Sequence, residues 1–358
     1  MKKSIMWHYI NEETTLLKNI LLREDIQKII DNIEQEVETI YFVSHGSSNN
    51  AAIAVSDFLS RYANVRVYCY TPANFLYNCT TISYEERSKT LLIAISQTGT
   101  SRGTIEAVKK AKYLGFSVLG ITAIKDSPLD KLSDIQLPLN CGVENSNAKT
   151  KGYSCTLMIL MLLSIAIGLK KGCMDKQQSN KIFDELKNCV DELADITKTI
   201  IKWCETTKFG ENIKNGFVIG CGMNYGTALE GQLKLMETMC IPTMFNDIEE
   251  FSHGMHRAIN KNSTVILLNS EHICKELTEK TFEYLKNKTD KVIMINASED
   301  KIDNPMVITI KNHPLTQSVL GITTIIQILS TFIPELNECD PNLDSNNDYT
   351  DYMKTRIQ

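Results

Sequence analysis

The sequence predicts an α/β protein of two similar domains, each a parallel sheet with helices on both faces. Three observations carry this. Strand-like apolar runs alternate with helical periodicity along most of the 358 residues. The runs are continuous, as in Leu91-Leu-Ile-Ala-Ile95, which marks strands buried on both faces. One design also occurs twice, as Ile40-Tyr-Phe-Val-Ser-His-Gly-Ser-Ser-Asn-Asn50 and as Phe217-Val-Ile-Gly-Cys-Gly-Met-Asn-Tyr-Gly226. Each copy is an apolar strand, a turn of glycine and small polar residues, and the start of an amphipathic helix. Such a turn aims backbone N–H groups and a helix N-terminus above the sheet, where anions bind. A small phosphorylated ligand is the natural candidate.

The elements follow in order. Residues 1–36 read as an N-terminal helical segment, periodic from Asn11 to Glu36 with a break near Glu24-Asp25. Residues 37–173 read as the first domain. Its strands are expected from residues 40, 65, 91, 117 and 135, its clearest helix starts at Arg102, and an apolar helix from Tyr153 closes it. Residues 174–210 form a charged helical connector. Residues 211–340 repeat the pattern, with strands expected from residues 216, 264, 291 and 306 and helices from 224, 272 and 316. Residues 341–358 are a polar tail without a core pattern, either disordered or laid over a site.

Composition bounds the function. With 43% hydrophobic and 23% charged residues the chain reads as an ordinary globular protein. A net charge of -5 argues against a broad nucleic-acid surface. The 11 cysteines include no Cys-x-x-Cys pair. They read as buried reduced thiols in a cytoplasmic protein, with Cys155 and Cys240 inside apolar runs. Lys2 and Lys3 precede only a short apolar patch, so no signal peptide is expected. The uncharged stretch from Gly152 to Leu169 touches the lower limit for a membrane span. It is read as a helix buried between layers, and no membrane partner is expected.

Two segments carry candidate chemistry. Ser96-Gln-Thr-Gly-Thr-Ser101 ends an apolar strand and opens a helix, the place where open α/β sheets bind ligands. An N-cap needs one hydroxyl, and here four fall within six residues, with Ser47 and Ser48 on the neighbouring turn. Nucleotide readings are weaker. Gly220, Gly222 and Gly226 miss the dinucleotide fingerprint by one residue, and no cofactor is expected. The second segment is Ala228-Leu-Glu-Gly-Gln-Leu-Lys-Leu-Met-Glu237, where Glu230, Lys234 and Glu237 share a helix face, by itself most often an exposed ion-paired one. It is followed by Glu249-Glu-Phe-Ser-His-Gly-Met-His256. His253 and His256 suggest a metal, but no further pair completes a set, and none is assigned.

These segments, with Glu144 through Lys151-Gly-Tyr, resemble the sugar-isomerase (SIS) domain family over nearly the whole chain. More narrowly, the chain looks like the isomerase half of glucosamine-6-phosphate synthase and related phosphosugar deglycases. The resemblance implies two flavodoxin-like αβα three-layer domains and a homodimer with a shared active site. It implies a sugar phosphate held by Ser47, Ser48, Ser96, Gln97, Thr98 and Ser101. It implies Glu237 as general base, Lys234 one turn before it, and His253 of a neighbouring subunit assisting ring opening. Three departures stand out. The resemblance does not extend to a glutaminase domain with its nucleophilic cysteine, so none is expected to act here; Lys149 replaces a small hydroxyl residue near the sugar, and Lys354 is the expected counterpart of a tail lysine in a poorly matching tail. The expected activity is isomerisation of an amino- or amine-linked 6-phosphosugar, as a fructosamine-6-phosphate deglycase or a glucosamine-6-phosphate deaminase. The alternative is a non-catalytic phosphosugar-binding regulator.

Overall fold

The protein is described from a computed structural model that covers residues 4–357 except 344 and 347. Lys2 and Lys3 lie outside the described residues, as do positions 344, 347 and 358 of the tail. The first sheet comprises β1 (Thr39–Ser44), β2 (Arg66–Tyr70), β3 (Thr90–Ile95), β4 (Ser117–Thr122) and β5 (Ile135–Pro138). All its pairings are parallel, in the order β2-β1-β3-β4-β5. The second sheet comprises β6 (Gly216–Ile219), β7 (Thr243–Asn246), β8 (Thr264–Ser270), β9 (Val292–Ala297) and β10 (Val307–Thr309). It is parallel too, in the order β10-β9-β8-β6-β7. Both sheets thus have flavodoxin-like order.

Contacts gather the chain into two compact units. One is Asn19–Val143, Cys155–Lys181 and Asp344–Gln358, around the first sheet; the other is Met1–Lys18, Glu144–Ser154 and Ile182–Leu343, around the second. In the first unit Tyr41, Val43, Leu92 and Val118 bury one sheet face against Phe75, Ala107, Val108 and Leu129. In the second unit the two faces have separate cores. Val218, Ile266 and Ile293 pack with Ile322, Ile325 and Leu329, while Phe217, Val265 and Met294 pack with Phe251 and Phe282. Adjacent residues such as Phe217 and Val218 therefore point into different cores, the physical reason these strands are apolar throughout.

The helices Lys151–Lys170 and Val319–Leu336 are both long and apolar enough to cross a membrane, and both are largely buried, as expected for the first of them. Two expectations need correction. β7 was not anticipated, because four residues after Pro242 carry no clear period. Cys155 is buried, but Cys240 is exposed: it ends the helix Met223–Met239 in a left-handed conformation, φ 52°, which carries it out of the apolar run.

Gly99 is required where the Ser96–Ser101 loop turns. Its φ is +66°, and a Cβ there would lie 2.0 Å from Ser127 Oγ. Gly99→Ala is expected to cost about 2 kcal/mol or more, read as a lower chemical-denaturation midpoint with unchanged slope.

Candidate functional site

In the first unit, β1 has β2 on one side and β3 on the other, so successive crossovers depart in opposite directions. That opens a crevice at the carboxyl ends of β1 and β3, where Ser44 is in register with Ile95. Ser47 and Ser48 begin the helix Gly46–Ala63, and the Ser96–Ser101 loop leads into Arg102–Tyr113. The two turns are joined by His45 Nδ1 and Ser101 Oγ at 3.1 Å. Burial lowers the His45 pKa from its ordinary value, so the ring stays neutral.

Capping does not explain the hydroxyls. Ser101 stands at the N-cap of Arg102–Tyr113 yet makes no side-chain cap; its hydroxyl meets His45 and accepts from Thr104 Oγ1 at 3.2 Å. His45, at the N-cap of Gly46–Ala63, makes none either. Thr98 and Thr100 hydroxyls lie 2.9 Å apart, and the Gln97 amide donates to Cys141 Sγ at 3.5 Å. Two helix N-termini without side-chain caps, lined by hydroxyls, leave N–H and O–H donors in an arrangement that suits an anion.

The tail joins this loop. Arg102 N–H donates to Thr355 O at 3.0 Å and Ile357 N–H to Thr100 O at 2.8 Å, around an antiparallel bridge between Ser101 and Arg356. Arg356 Nη1 donates to Thr98 Oγ1 at 3.0 Å. Lys354 is exposed, at φ 50°. Arg356 thus places a guanidinium on the hydroxyl loop, a residue the sequence reading did not single out. Its only sequence signal is a cation two positions after Lys354.

The second unit carries a cluster of charged side chains on the helix Met223–Met239. The face of Met223–Met239 is not an exposed ion-paired face. Glu230 and Lys234 are 0% exposed, and Lys234 Nζ lies 3.0 Å from Glu230 Oε1. The contact is an ion pair poorly aligned for a hydrogen bond. Glu237, two turns past Glu230, is exposed by area yet crowded by protein. Desolvation pushes its carboxyl up to about 7, with Glu230 adding to the rise and Lys234 and Lys149 opposing it. An accessible carboxyl that titrates near neutrality is what a general base needs. Lys149 is folded over its own loop, donating to the carbonyls of Glu144 and Ser146 at 3.2 Å each. Glu144 receives Thr150 N–H at 2.5 Å and Gly152 N–H at 3.1 Å, capping the start of Lys151–Lys170. His253 is exposed at the end of the helix Ile248–His253. His256 Nδ1 lies 3.2 Å from Phe251 O.

Sequence reasoning missed Glu13, on the helix Met6–Leu21. It is 1% exposed, and burial pushes its carboxyl up to about 8 despite the opposing charge of Lys234. Ser154 Oγ donates to it at 2.9 Å and receives the Gln327 amide at 2.9 Å. A signal was present. Ile10, Glu13, Leu17 and Ile20 form one helical stripe, so the acid interrupts an apolar face.

The SIS domain family matches residues 35–166 and 211–324. The chain belongs to the SIS domain family. It is similar to the glutamine–fructose-6-phosphate aminotransferase (isomerizing) of Caldanaerobacter subterraneus, with 29% identity over 80% of this chain and 45% of that protein. The corresponding Thermotoga maritima enzyme is 26% identical over 95% of this chain and 57% of its own length. This SIS chain thus spans about half the length of the curated relatives it matches. Among solved structures, a Clostridium difficile protein assigned as a phosphosugar isomerase superposes with TM-score 0.88 and 26% identity, covering 97% of each chain. The C-terminal domain of glucosamine-fructose-6-phosphate aminotransferase from Francisella tularensis gives TM-score 0.85 at 21% identity, covering 95% of this chain and 98% of that one, a likeness of fold.

The buried acid makes stability depend on pH. Glu13 holds its proton more tightly folded than unfolded, so stability falls as pH rises from about 4.5 to about 8 and levels off above that. Glu13→Gln is expected to raise the melting temperature at pH 8.5 relative to wild type and to change it little at pH 5. A parallel shift at both pH values would show that Glu13 is not the titrating group.

Proposed function

We propose that the protein is a phosphosugar isomerase acting on a 6-phosphosugar with nitrogen at C1 or C2. The observation that carries this reading is Glu237, an accessible carboxyl raised to about 7 on a helix that also buries an ion pair. The hydroxyl cradle of Ser47, Ser48, Ser96, Gln97, Thr98 and Ser101 supports it, with Arg356 as the charge that meets the phosphate. In this reading the phosphate contacts fix the substrate, and remote binding is turned into positioning of the reacting carbons.

The chemistry is one proton moved between neighbouring carbons. From a ketosamine, Glu237 removes a C1 proton and the electrons pass to the C2 carbonyl, giving an enaminol. The proton returned at C2 leaves a C1 imine, which water hydrolyses to the aldose phosphate and free amine. From a 2-amino aldose phosphate the same carboxyl works in the other sense, taking the C2 proton and returning it at C1. The C2 imine then hydrolyses to the ketose phosphate and ammonia. His253 carries the ring-oxygen proton during opening, acting in the site of a second copy of the chain. Buried Lys234 acts through its charge, holding Glu237 below the pKa that burial alone would impose. A cytoplasmic setting fits the 11 cysteines, none of which forms a disulfide among the described residues.

The test follows product formation from a fructosamine 6-phosphate and from glucosamine 6-phosphate. Glu237→Gln is expected to lower kcat by about 10²–10⁴-fold while substrate still raises the melting temperature. Binding without turnover by the wild type would leave a phosphosugar-binding regulator instead. In the wild type, log kcat/KM should rise with pH and bend near 7, where desolvation places the Glu237 carboxyl. Mixing inactive Glu237→Gln and His253→Ala proteins should restore about a quarter of wild-type rate, since half the reassorted dimers gain one intact site. No recovery on mixing would place His253 in its own chain's site.

A further inference from the structure

The second sheet repeats the crevice with different donors. β6 lies between β7 and β8, so the crossovers again part at the carboxyl ends of β6 and β8. Where the first crevice carries serine and threonine hydroxyls, this one carries Cys221 just after β6 and His272 and Cys274 just after β8. One ligand atom from each lies within 4.8 Å of the other two, and all three residues are half-buried. The Cys221 and Cys274 thiols hydrogen-bond one another.

The surroundings hold these groups in place. Gly222, at φ +59°, brings the backbone against the imidazole; a Cβ there would lie 2.9 Å from His272 Cδ2 and 2.3 Å from Gln317 Oε1. Gln317 Oε1 accepts Met223 N–H at 3.0 Å, and Asn224 donates to Gln317 O at 2.9 Å and to Ser270 Oγ at 3.1 Å. Gln317 and Ser318 are consecutive left-handed residues, φ 48° and 52°. Such backbone persists where the surroundings over-determine it, commonly beside ligand sites.

We propose that Cys221, His272 and Cys274 bind one thiophilic divalent cation of the zinc class at the switch point of the second sheet. Two thiolates and an imidazole are a borderline-soft donor set that zinc prefers, and three protein ligands leave a fourth position for water or an anionic group. Loading is not a redox step: the two thiols release two protons as their sulfurs bind the cation, and the complex of cation and two thiolates is neutral. Cys274 N–H faces His272 Nδ1 at 3.2 Å, so the neutral ring carries its proton on Nε2. Ligation through Nε2 moves that proton to Nδ1 and gives up the long contact.

The experiment titrates the full chain with Cd²⁺, reading the thiolate-to-metal absorption band, and then displaces it with Zn²⁺. One ion per chain is expected, with affinity lowered at least about tenfold in Cys221→Ser and in Cys274→Ser. Cys173→Ser, at an exposed cysteine of the other unit, should bind as wild type. In unsubstituted protein, Zn²⁺ should slow iodoacetamide alkylation of Cys221 and Cys274, resolved by peptide mass, and leave Cys173 reacting at its former rate. The proposal is overturned by failure to take up one ion, by uptake that survives both serine substitutions, or by unprotected alkylation at the two sites. The readout is an ion count, so it stands or falls apart from any isomerase activity.

Discussion

A strand flanked on both sides by strands that follow it in the chain leaves its carboxyl end uncovered, because its two crossovers depart to opposite sides. β1 and β6 are both in this position. The constraint is topological and indifferent to side chains, so it provides two crevices whose chemistry depends only on what the turns carry. After β1 and β3 the turns carry hydroxyls and helix N-termini, which suit an anion that needs many weak donors. After β6 and β8 they carry thiols and an imidazole, which suit a soft cation. A difference in a few turn residues is enough to produce that contrast.

The helix Met223–Met239 shows how burial sets acid strength. Its glutamates repeat along one face, but Glu230 lies against Lys234 away from solvent while Glu237 emerges. A buried ion pair is rarely a net gain in stability, since desolvating two charges offsets most of their attraction. Its value here is electrostatic. It fixes a negative and a positive charge near an accessible carboxyl that desolvation has already weakened as an acid. Glu13, on a different helix, is raised by the same burial but has no exposure, and so it affects folding rather than reaching a ligand.

Much of this was legible in the sequence, for identifiable reasons. Strands covered on both faces are continuous apolar runs, so β1, β3, β4, β8 and β9 were readable, while four-residue β7 fell below any periodic signal. The hydroxyl loop was readable because its residues are contiguous. Cys221 lies about 50 positions before His272 and Cys274, and only parallel pairing of β6 with β8 unites them, so spacing rules for metal ligands had nothing to match. Arg356 was hidden for a similar reason: nothing local announces that a polar tail will add a bridge beside Ser101.

The unit around the second sheet is discontinuous in sequence, and this bears on how it is made. Trp7 Nε1 donates to Glu335 Oε1 across 328 positions at 3.0 Å, and Ser4 N–H donates to the same oxygen. At a synthesis rate of about 5–20 residues per second, the helix carrying Trp7 waits roughly 15–60 s for its partner. Throughout that interval Ile10, which packs in one core with Ile200 and Ile333, has no final core to enter. The first sheet, drawn mostly from an unbroken run of chain, can close meanwhile. The slow, aggregation-exposed step of maturation is therefore the return of this early helix.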